Sequence, residues 1–331
     1  MDFKSENIPH NSTLLVTGGA GFIGSHVCER LLDRGFRVVC LDDLNDYYSP
    51  DWKWANLEKS RSCESFQFVR GSLLDLGLLR DLFDREAPSA VLHFAARAGV
   101  RPSLRDPKLY EATNGRGTLN ILELCREFKM SRLIYTSSSS VYGERFNMPL
   151  RETDPIMNPI SPYGAAKYAS EKMCQVYQSL TGMDLNVIRP FTVYGPRQRP
   201  DMAIFKFTRM IDRGLSIPLF GDGSTARDYT FISDFVDGVE KALHFSGGFR
   251  IFNLGGSHST RLIDLVHTIS EALDKKPEIE FQPTQPGDVP LTLADISRAR
   301  DELGYEPKIS VPEGIQRFVD WYRSSAQVGR A

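Results

Sequence analysis

A tyrosine and a lysine near the middle of the chain have the spacing of a general base and its partner. Tyr163 and Lys167 are four residues apart in Ser-Pro-Tyr-Gly-Ala-Ala-Lys, so on a helix their side chains share one face. An ammonium beside a phenol favours the phenolate, and the spacing therefore predicts that Lys167 lowers the pKa of Tyr163. The same spacing also occurs on solvated helices, so other parts of the chain must support a chemical role.

A glycine-rich turn near the start of the chain gives this support. Residues 18–24, Gly-Gly-Ala-Gly-Phe-Ile-Gly, lie between an apolar run and a segment with helical periodicity. Glycines in such a turn let the backbone approach a pyrophosphate, which then lies on the helix N-terminus. The next predicted strand leads to Asp42, whose carboxylate is placed to accept hydrogen bonds from ribose hydroxyls and to repel a 2′-phosphate. We therefore expect NAD as cofactor, in preference to NADP.

Charge and composition exclude several other classes of function. The 331 residues carry 40 Lys and Arg against 42 Asp and Glu, so no net positive field favours nucleic acid or an anionic membrane as partner. Five widely spaced cysteines form no metal or redox motif, and we expect no bound metal. The first residues lack an apolar leader, and no stretch of about 18 apolar residues is present. We expect a reduced, cytoplasmic protein with a short disordered start.

The elements that position these residues alternate along the chain. Alternating strand and helix patterns predict an α/β fold with a doubly wound, Rossmann-type parallel sheet. In such sheets ligands collect at the carboxyl ends of the strands, where residues 93–97, 137–140 and 190–192 all fall. The predicted strands are 13–17, 37–41, 66–70, 90–94, 132–136, 185–189 and 251–254, and the main predicted helices are 76–85, 117–128, 162–180 and 233–245.

The pattern loosens after residue 192, which suggests two lobes. We expect an NAD-binding Rossmann domain over residues 1–192, rejoined by about 229–256, and a smaller, discontinuous α/β substrate lobe within 193–331. Residues 43–57 contain Tyr47, Tyr48, Trp52 and Trp54, which we expect to pack locally rather than to stack on bases.

Together these motifs resemble the extended short-chain dehydrogenase/reductases, and among them the NAD-dependent nucleotide-sugar epimerases. The resemblance covers almost the whole chain, and its motifs are jointly specific. They are Thr-Gly-Gly-Ala-Gly-Phe-Ile-Gly at 17–24, His-Phe-Ala-Ala at 93–96, the serine run with Val-Tyr-Gly at 137–143, the Tyr-x-x-x-Lys pair, and Arg-Pro-Phe-Thr-Val-Tyr-Gly-Pro at 189–196.

The resemblance implies roles for individual residues. Tyr163 would be the catalytic base, Lys167 would lower its pKa and hold the nicotinamide ribose, and Ser138 would hydrogen-bond the sugar O4. Many relatives carry an Asp after the glycine that ends the third strand, but here Gly71 is followed by Ser72, so the contact with adenine stays open. The implied cofactor-binding residues are Gly18, Gly21, Phe22, Ile23, Gly24, Asp42, Ala95, Ala96, Asn114 and Lys167.

The serine run narrows the implied reaction. In the related 4,6-dehydratases an Asp-Glu pair that eliminates water stands where this chain has Ser139 and Ser140, which we expect to contact substrate instead. A glutamate of the UDP-glucuronate decarboxylases is also absent. The remaining reaction is epimerisation at C4, in which oxidation gives a 4-keto sugar nucleotide and the hydride returns to the opposite face.

The resemblance within the family is closest to the UDP-glucuronate 4-epimerases, through residues 98–101 and 192–203. Arg101 and Arg199 are available to pair with a C6 carboxylate, and Thr192 stands where UDP-galactose epimerases tend to have Asn. The alternative for Arg199 is a solvated loop charge or a pyrophosphate contact. Arg227 and Asp288 would contact the uridine and ribose of UDP.

Three alternatives to this prediction stay open. The substrate of a 4-epimerase could instead be UDP-glucose or UDP-N-acetylglucosamine. A non-catalytic NAD-sensing or RNA-binding relative would keep the glycine turn but lose the tyrosine or the lysine, and this chain has both.

The resemblance also implies a homodimer that pairs the helices at 117–128 and 162–180.

Overall fold

The computed structural model describes residues 8–145, 147–283 and 289–325. Asp288 and most of the predicted disordered start therefore lie outside the described residues. The strands are β1 (Thr13–Thr17), β2 (Arg37–Asp42), β3 (Phe66–Arg70), β4 (Ala90–His93), β5 (Arg132–Thr136), β6 (Asp184–Pro190), β7 (Thr192–Tyr194), β8 (Ile217–Phe220), β9 (Ala226–Phe231), β10 (Phe249–Leu254), β11 (Ser259–Arg261) and β12 (Ile279–Gln282).

Helices separate most of these strands. They are α1 (Phe22–Asp33), α2 (Pro50–Asn56), α3 (Glu58–Arg61), α4 (Leu76–Glu86), α5 (Val100–Arg105), α6 (Pro107–Tyr110), α7 (Gly117–Glu127), α8 (Pro162–Thr181), α9 (Ala203–Asp212), α10 (Ile232–His244), α11 (Leu262–Leu273), α12 (Ser297–Leu303) and α13 (Val311–Ser324). A π-helical segment, Glu111–Arg116, joins α6 to α7, and a 3₁₀ turn, Ser139–Tyr142, follows β5.

Seven parallel strands form the main sheet in the order β10-β6-β5-β4-β1-β2-β3. The strand order reverses between β1 and β4, which makes the switch point where doubly wound sheets bind ligands. The predicted α/β fold is therefore confirmed. The seven predicted strands are those of the main sheet and differ from the observed ones only at their ends, as in β6, which begins at Asp184 rather than at 185.

Helices cover both faces of this sheet, and each face has its own hydrophobic core. Along β1, Leu14 and Val16 point to one core, which includes side chains of α1 and α10, while Leu15 points to the other, which includes side chains of α4 and α7. This alternation follows from the two-residue period of a strand. Both faces of β1 are buried, so its sequence is a continuous apolar run.

The smaller sheets lie outside the main one. β7 pairs with β9, β9 also pairs with β11, and β8 pairs with β12. The division at residue 192 stays a prediction, although β10 rejoins the main sheet by pairing with β6. Trp54 packs locally, against Phe68 at 4.8 Å between ring centroids, whereas Trp52 packs against the distant Phe205 at 5.4 Å.

Helix α8 carries the Tyr-x-x-x-Lys pair, and its ends are specified by sequence. The Ser161 hydroxyl accepts a hydrogen bond from the Gly164 amide at 3.1 Å, and Pro162 takes the first helical position, where its missing N–H costs nothing. The helix ends at Gly182, which has a left-handed conformation with φ of 72°. Its start therefore places Tyr163 in the first turn.

A buried ion pair fixes α8 to the sheet. Glu171 on α8 and Arg189 on β6 are 1% and 2% exposed, and the guanidinium donates to both carboxylate oxygens, from Nε at 2.9 Å and from Nη2 at 2.6 Å. The Ser137 hydroxyl, directly after β5, donates to the same carboxylate at 2.5 Å. One carboxylate thus joins the helix, β6 and the start of the serine run.

We expect Glu171→Gln to lower the free energy of unfolding by about 3–5 kcal/mol, because it leaves the Arg189 charge buried without its counter-ion. Chemical denaturation measures the difference. The matched control is Glu127→Gln, which breaks the bidentate but exposed pair between Arg80 and Glu127 and should cost much less, because water screens both charges. Equal, small losses in the two variants would contradict a structural role for the buried pair.

Candidate active site

A cavity of about 400 Å³ lies at the carboxyl ends of the main-sheet strands. Segments that follow β1 to β6 all contribute to its walls, as the strand order predicts. The predicted site residues that line it are Gly18, Gly21, Phe22, Ile23, Gly24, Asp42, Ala95, Ala96, Ser138, Ser139, Ser140, Tyr163, Lys167, Thr192 and Arg199.

The glycine turn makes the part of the wall between β1 and α1. Gly18 has φ of 72°, and a Cβ there would lie 2.6 Å from the backbone nitrogen of Ala95. Only glycine allows this close approach of the segments that follow β1 and β4. Helix α1 starts after Gly21, and no side chain in the described chain caps its first N–H groups. These amides and the helix dipole favour an anion at this point of the cavity.

Asp42 lies at the end of β2 and is held by backbone amides. Its carboxylate accepts hydrogen bonds from Ala20 at 3.1 Å and from Leu44 at 2.9 Å. Burial raises the pKa of Asp42, while the positive charge of Lys53 lowers it by less. Lys53 is buried, donates to the Asn45 carbonyl at 2.8 Å and also lines the cavity.

Sequence reasoning missed Lys53, together with Tyr47 and Tyr48, which line the same cavity. Their position in the sequence could have predicted this, because the segment that follows the carboxyl end of β2 must run beside the crevice. Tyr47 and Tyr48 thus face a ligand site, and the expectation that they do not stack on bases stays a prediction. Gly71 and Ser72 also line the cavity, so the end of β3 contributes to it without the Asp that many relatives carry.

Asn114 lies in the π-helical segment, and its side chain holds the backbone of Arg97, a residue that lines the cavity. It is fully buried, its Oδ1 accepts from the Arg97 amide at 2.8 Å, and its Nδ2 donates to the Arg97 carbonyl at 2.9 Å. Both polar ends of the side chain are thus used, and Asn114 is not part of the cavity lining. Through these bonds Asn114 positions the segment after Ala96, and its predicted place near the cofactor stays a prediction. Such π-helical turns are frequent at functional sites.

Tyr163 and Ser138 meet inside the cavity. The Ser138 hydroxyl interacts with the Tyr163 phenol and also accepts a hydrogen bond from the Ser140 amide at 3.1 Å, which starts the 3₁₀ turn. Burial raises the pKa of Tyr163, and the contributions of Ser138 and of the Arg199 charge lower it by less. The predicted lowering of this pKa is therefore wrong for the structure, because desolvation of the phenolate outweighs the nearby positive charge.

Lys167 lies one turn further along α8 and points toward β5. Its ammonium donates to the Thr136 carbonyl at 2.6 Å and lies 4.9 Å from the centre of the Tyr135 ring. Burial lowers the pKa of Lys167 to about 7. The lysine is therefore anchored to the backbone, and it titrates near neutral pH beside the tyrosine.

The serine run and the carboxylates lie in different parts of the cavity. Among the described residues that line it, Asp42 and Asp43 are the only carboxylates, and both follow β2. The serines follow β5, which is separated from β2 by β4 and β1 in the sheet. Within the described part of the cavity lining, Ser139 and Ser140 therefore have no carboxylate pair beside them that could eliminate water.

The arginines predicted to bind substrate occupy three different environments. Arg199 lines the cavity but already forms a bidentate ion pair with Asp201, with both distances at 2.9 Å. Arg101 lies over the Phe220 ring at 5.6 Å, and Arg227 donates to the Ala226 carbonyl at 2.9 Å. Neither of these two lines the cavity, and their roles stay predictions.

Two histidines near the site are structural, as expected. The ring of His93 bonds the hydroxyls of Thr17 at 2.7 Å and Thr118 at 3.1 Å, and that of His26 lies 3.0 Å from the Pro196 carbonyl. Burial lowers the pKa of each to about 3. Among the described residues, no His, Cys, Asp and Glu side chains are grouped so as to hold a metal ion. Within the same residues, no helix combines the length and apolar character needed to cross a membrane.

We expect Gly18→Ala to destabilise the fold more than Gly35→Ala does. Both glycines have positive φ, 72° and 81°, but a Cβ at Gly35 has no atom within 4 Å, whereas at Gly18 it would collide with the backbone of Ala95. The left-handed conformation costs both variants about 1–2 kcal/mol, and the collision adds about 1–3 kcal/mol for Gly18 alone. Denaturant unfolding of the two variants measures the difference, and equal losses would contradict the close approach.

Comparison with known proteins places this geometry in a family. The profile of the GDP-mannose 4,6 dehydratase family matches residues 15–318. The chain is 41% identical over 315 residues to a UDP-glucuronate 4-epimerase of Thermodesulfobacterium geofontis, covering 95% of this chain and 97% of that one.

Two solved structures are also similar. One is UDP-glucuronic acid 4-epimerase from Bacillus cereus in complex with UDP-glucuronic acid and NAD, with 34% identity, a TM-score of 0.88 and coverage of 94% of this chain and 99% of that one. The other is UDP-glucose 4-epimerase from Thermotoga maritima with UDP-glucose, with 34% identity, a TM-score of 0.87 and coverage of 94% and 98%. The chain therefore belongs to the GDP-mannose 4,6 dehydratase family of extended short-chain dehydrogenase/reductases.

Proposed function

We propose that this protein is an NAD-dependent UDP-sugar 4-epimerase and that its substrate is UDP-glucuronate, which it converts to UDP-galacturonate. The observation that carries the proposal is the meeting of Tyr163, Ser138 and Lys167 in one cavity with the glycine turn. Among the described residues that line the cavity, none with a carboxylate follows β5 beside Ser139 and Ser140, which argues for epimerisation over dehydration.

The residues of the cavity fit NAD. The glycine turn forms a cradle that a Cβ would fill, and the uncapped start of α1 suits a pyrophosphate. Asp42 is placed to accept from ribose hydroxyls, and the Thr136 hydroxyl, buried in the cavity wall, has no hydrogen-bond partner among the described residues. When bound, NAD supplies the capacity to accept a hydride from C4 and to return it.

Tyr163 is the group that we propose to hold the C4 proton. Because burial raises the pKa of Tyr163, its phenol is protonated before the reaction. To act as a base, Tyr163 needs nearby positive charges that stabilise the phenolate. Arg199 contributes such a charge, and Lys167 contributes a second when it is protonated. Ser138 shares a hydrogen bond with the reacting oxygen and orients it.

Arg199 and Thr192 support a uronate as the sugar. Both line the cavity, and a guanidinium binds a carboxylate through two parallel hydrogen bonds. Holding this carboxylate has a chemical purpose, because a 4-keto uronate is a β-keto acid that loses carbon dioxide readily. Arg227 and Asp288 remain the proposed contacts of the UDP uridine and ribose.

UDP-glucose is the second candidate, and one observation favours it. Arg199 is already paired with Asp201, so a neutral sugar needs no rearrangement of this ion pair. UDP-N-acetylglucosamine is neutral in the same position. A non-catalytic relative is disfavoured, because both members of the Tyr-x-x-x-Lys pair line the cavity.

We expect purified protein incubated with UDP-glucuronate to yield UDP-galacturonate, separated by anion-exchange chromatography. UDP-glucose in a parallel reaction should be converted at least about tenfold more slowly, since loss of one good charge-assisted contact costs about 1.5–3 kcal/mol. Faster conversion of UDP-glucose would reject the uronate assignment but keep the epimerase.

The control variant is Tyr163→Phe, which removes the proposed base and keeps the ring. It should retain NAD, seen by absorbance after denaturation, and lose turnover by at least about a hundredfold. Normal turnover in this variant would reject Tyr163 as the base for either substrate.

We also propose a homodimer through α7 and α8. Met173, Val176 and Leu180 on α8 are 38%, 51% and 64% exposed, and such a set of apolar side chains on one helix is suited to pairing with a second copy. Light scattering should give twice the chain mass of 37.3 kDa. Val176→Arg should shift the mass to that of one chain, and a wild-type monomer would reject the interface.

A further inference from the structure

The Arg199 guanidinium lines the cavity, and its counter-ion is the carboxylate of Asp201. The guanidinium donates to the two oxygens of Asp201 from Nε and from Nη2, each at 2.9 Å. The Tyr47 hydroxyl donates to the same carboxylate at 3.3 Å, and the guanidinium lies over the Tyr47 ring at 5.4 Å. This is the bidentate geometry that a free carboxylate ligand takes with an arginine.

The two partners differ in their access to solvent. The Arg199 side chain is 20% exposed and lines the cavity, whereas the Asp201 side chain is 43% exposed, does not line it, and lies in the turn before α9. Asp201 can turn into water more readily than Arg199 can, because its carboxylate is already partly exposed, and the bonds it gives up are those from Arg199 and Tyr47. Arg199 has no such freedom, since the Tyr47 ring covers its guanidinium.

Charge balance argues against simple addition of a second carboxylate. The pair is neutral, so a uronate that entered beside it would bring an uncompensated negative charge into a largely buried place. It would also oppose formation of the Tyr163 phenolate, whose pKa depends on the Arg199 charge. Exchange of one carboxylate for another avoids both costs, because the guanidinium keeps one counter-ion throughout.

We propose that Asp201 is an internal substitute for the substrate carboxylate, and that it releases Arg199 when the C6 carboxylate of UDP-glucuronate binds. This inference rests on the uronate substrate proposed above. Asp201 is then a specificity-determining residue, because it competes with a uronate for Arg199 and does not compete with a neutral sugar.

The test compares Asp201→Asn with wild type by isothermal titration of the NAD-containing protein with UDP-glucuronate and with UDP-glucose. Asparagine cannot neutralise Arg199, so we expect the dissociation constant for UDP-glucuronate to fall about two- to fivefold, the value of a partly exposed ion pair. The constant for UDP-glucose should stay within about twofold, since a neutral sugar gains nothing from the loss of a competing charge.

The matched control is Asp264→Asn, which removes a bidentate carboxylate from Arg261 on the surface, where the side chains are 62% and 45% exposed. This change should leave both dissociation constants as in wild type. A comparable gain for UDP-glucuronate in the control would overturn the inference, because the gain would then reflect net charge alone.

Weaker or unchanged UDP-glucuronate binding by Asp201→Asn, with firm binding by wild type, would overturn the inference alone. Asp201 would then orient Arg199 and not compete for it, and the proposed function would stand. Failure of both wild type and variant to bind UDP-glucuronate, with UDP-glucose bound, would overturn the inference and the uronate assignment together.

Discussion

The buried pair between Arg189 and Glu171 is the constraint on which the active-site geometry depends. Neither charge has access to water, so each requires the other, and separating them would cost several kcal/mol. The same carboxylate accepts from Ser137, and the Arg189 guanidinium lies 4.8 Å from the centre of the Tyr142 ring. The helix that carries Tyr163 and the serine run that faces it are thus held by one interaction, and neither moves without the other.

Burial also sets the electrostatics of the site. It raises the pKa of Tyr163 and lowers that of Lys167, so the proton rests on the phenol and the lysine titrates near neutral pH. If Tyr163 is the base, its buried phenolate needs a nearby positive charge to stabilise it. In the proposed mechanism Arg199 would affect proton transfer as well as binding, because its charge lowers the pKa of Tyr163, and recognition of the sugar would then be linked to the chemistry at C4. The family takes its name from a dehydratase, and in this chain the side chains at 139 and 140, which follow β5, are serines and not an acid and base pair.

Much of this arrangement was accessible from the sequence. Alternating apolar runs and the glycine turn predicted the parallel sheet, and strand ends predicted which segments meet at the cavity, because these features follow from local patterns. Tertiary contacts decided the rest. Asn114 bonds the Arg97 backbone 17 residues away, Lys53 approaches Asp42 only after α2 has packed, and the direction of the Tyr163 pKa depends on how deeply α8 is buried. None of these has a signature in residue spacing.

Residue spacing also fails to predict the roles of Arg199 and Asp201, although the two are close in sequence. Their spacing of two residues suggests an ordinary surface pair, and only the cavity on one side and solvent on the other give the two partners different roles. A buried cation that faces a ligand site needs a counter-ion at all times, and an exposed carboxylate two residues away supplies one at little cost. In the proposed exchange, the charge that acts on Tyr163 would stay nearly constant as an acidic substrate enters and leaves. The protein could then bind a substrate carboxylate without adding a negative charge near Tyr163, which would oppose formation of its phenolate.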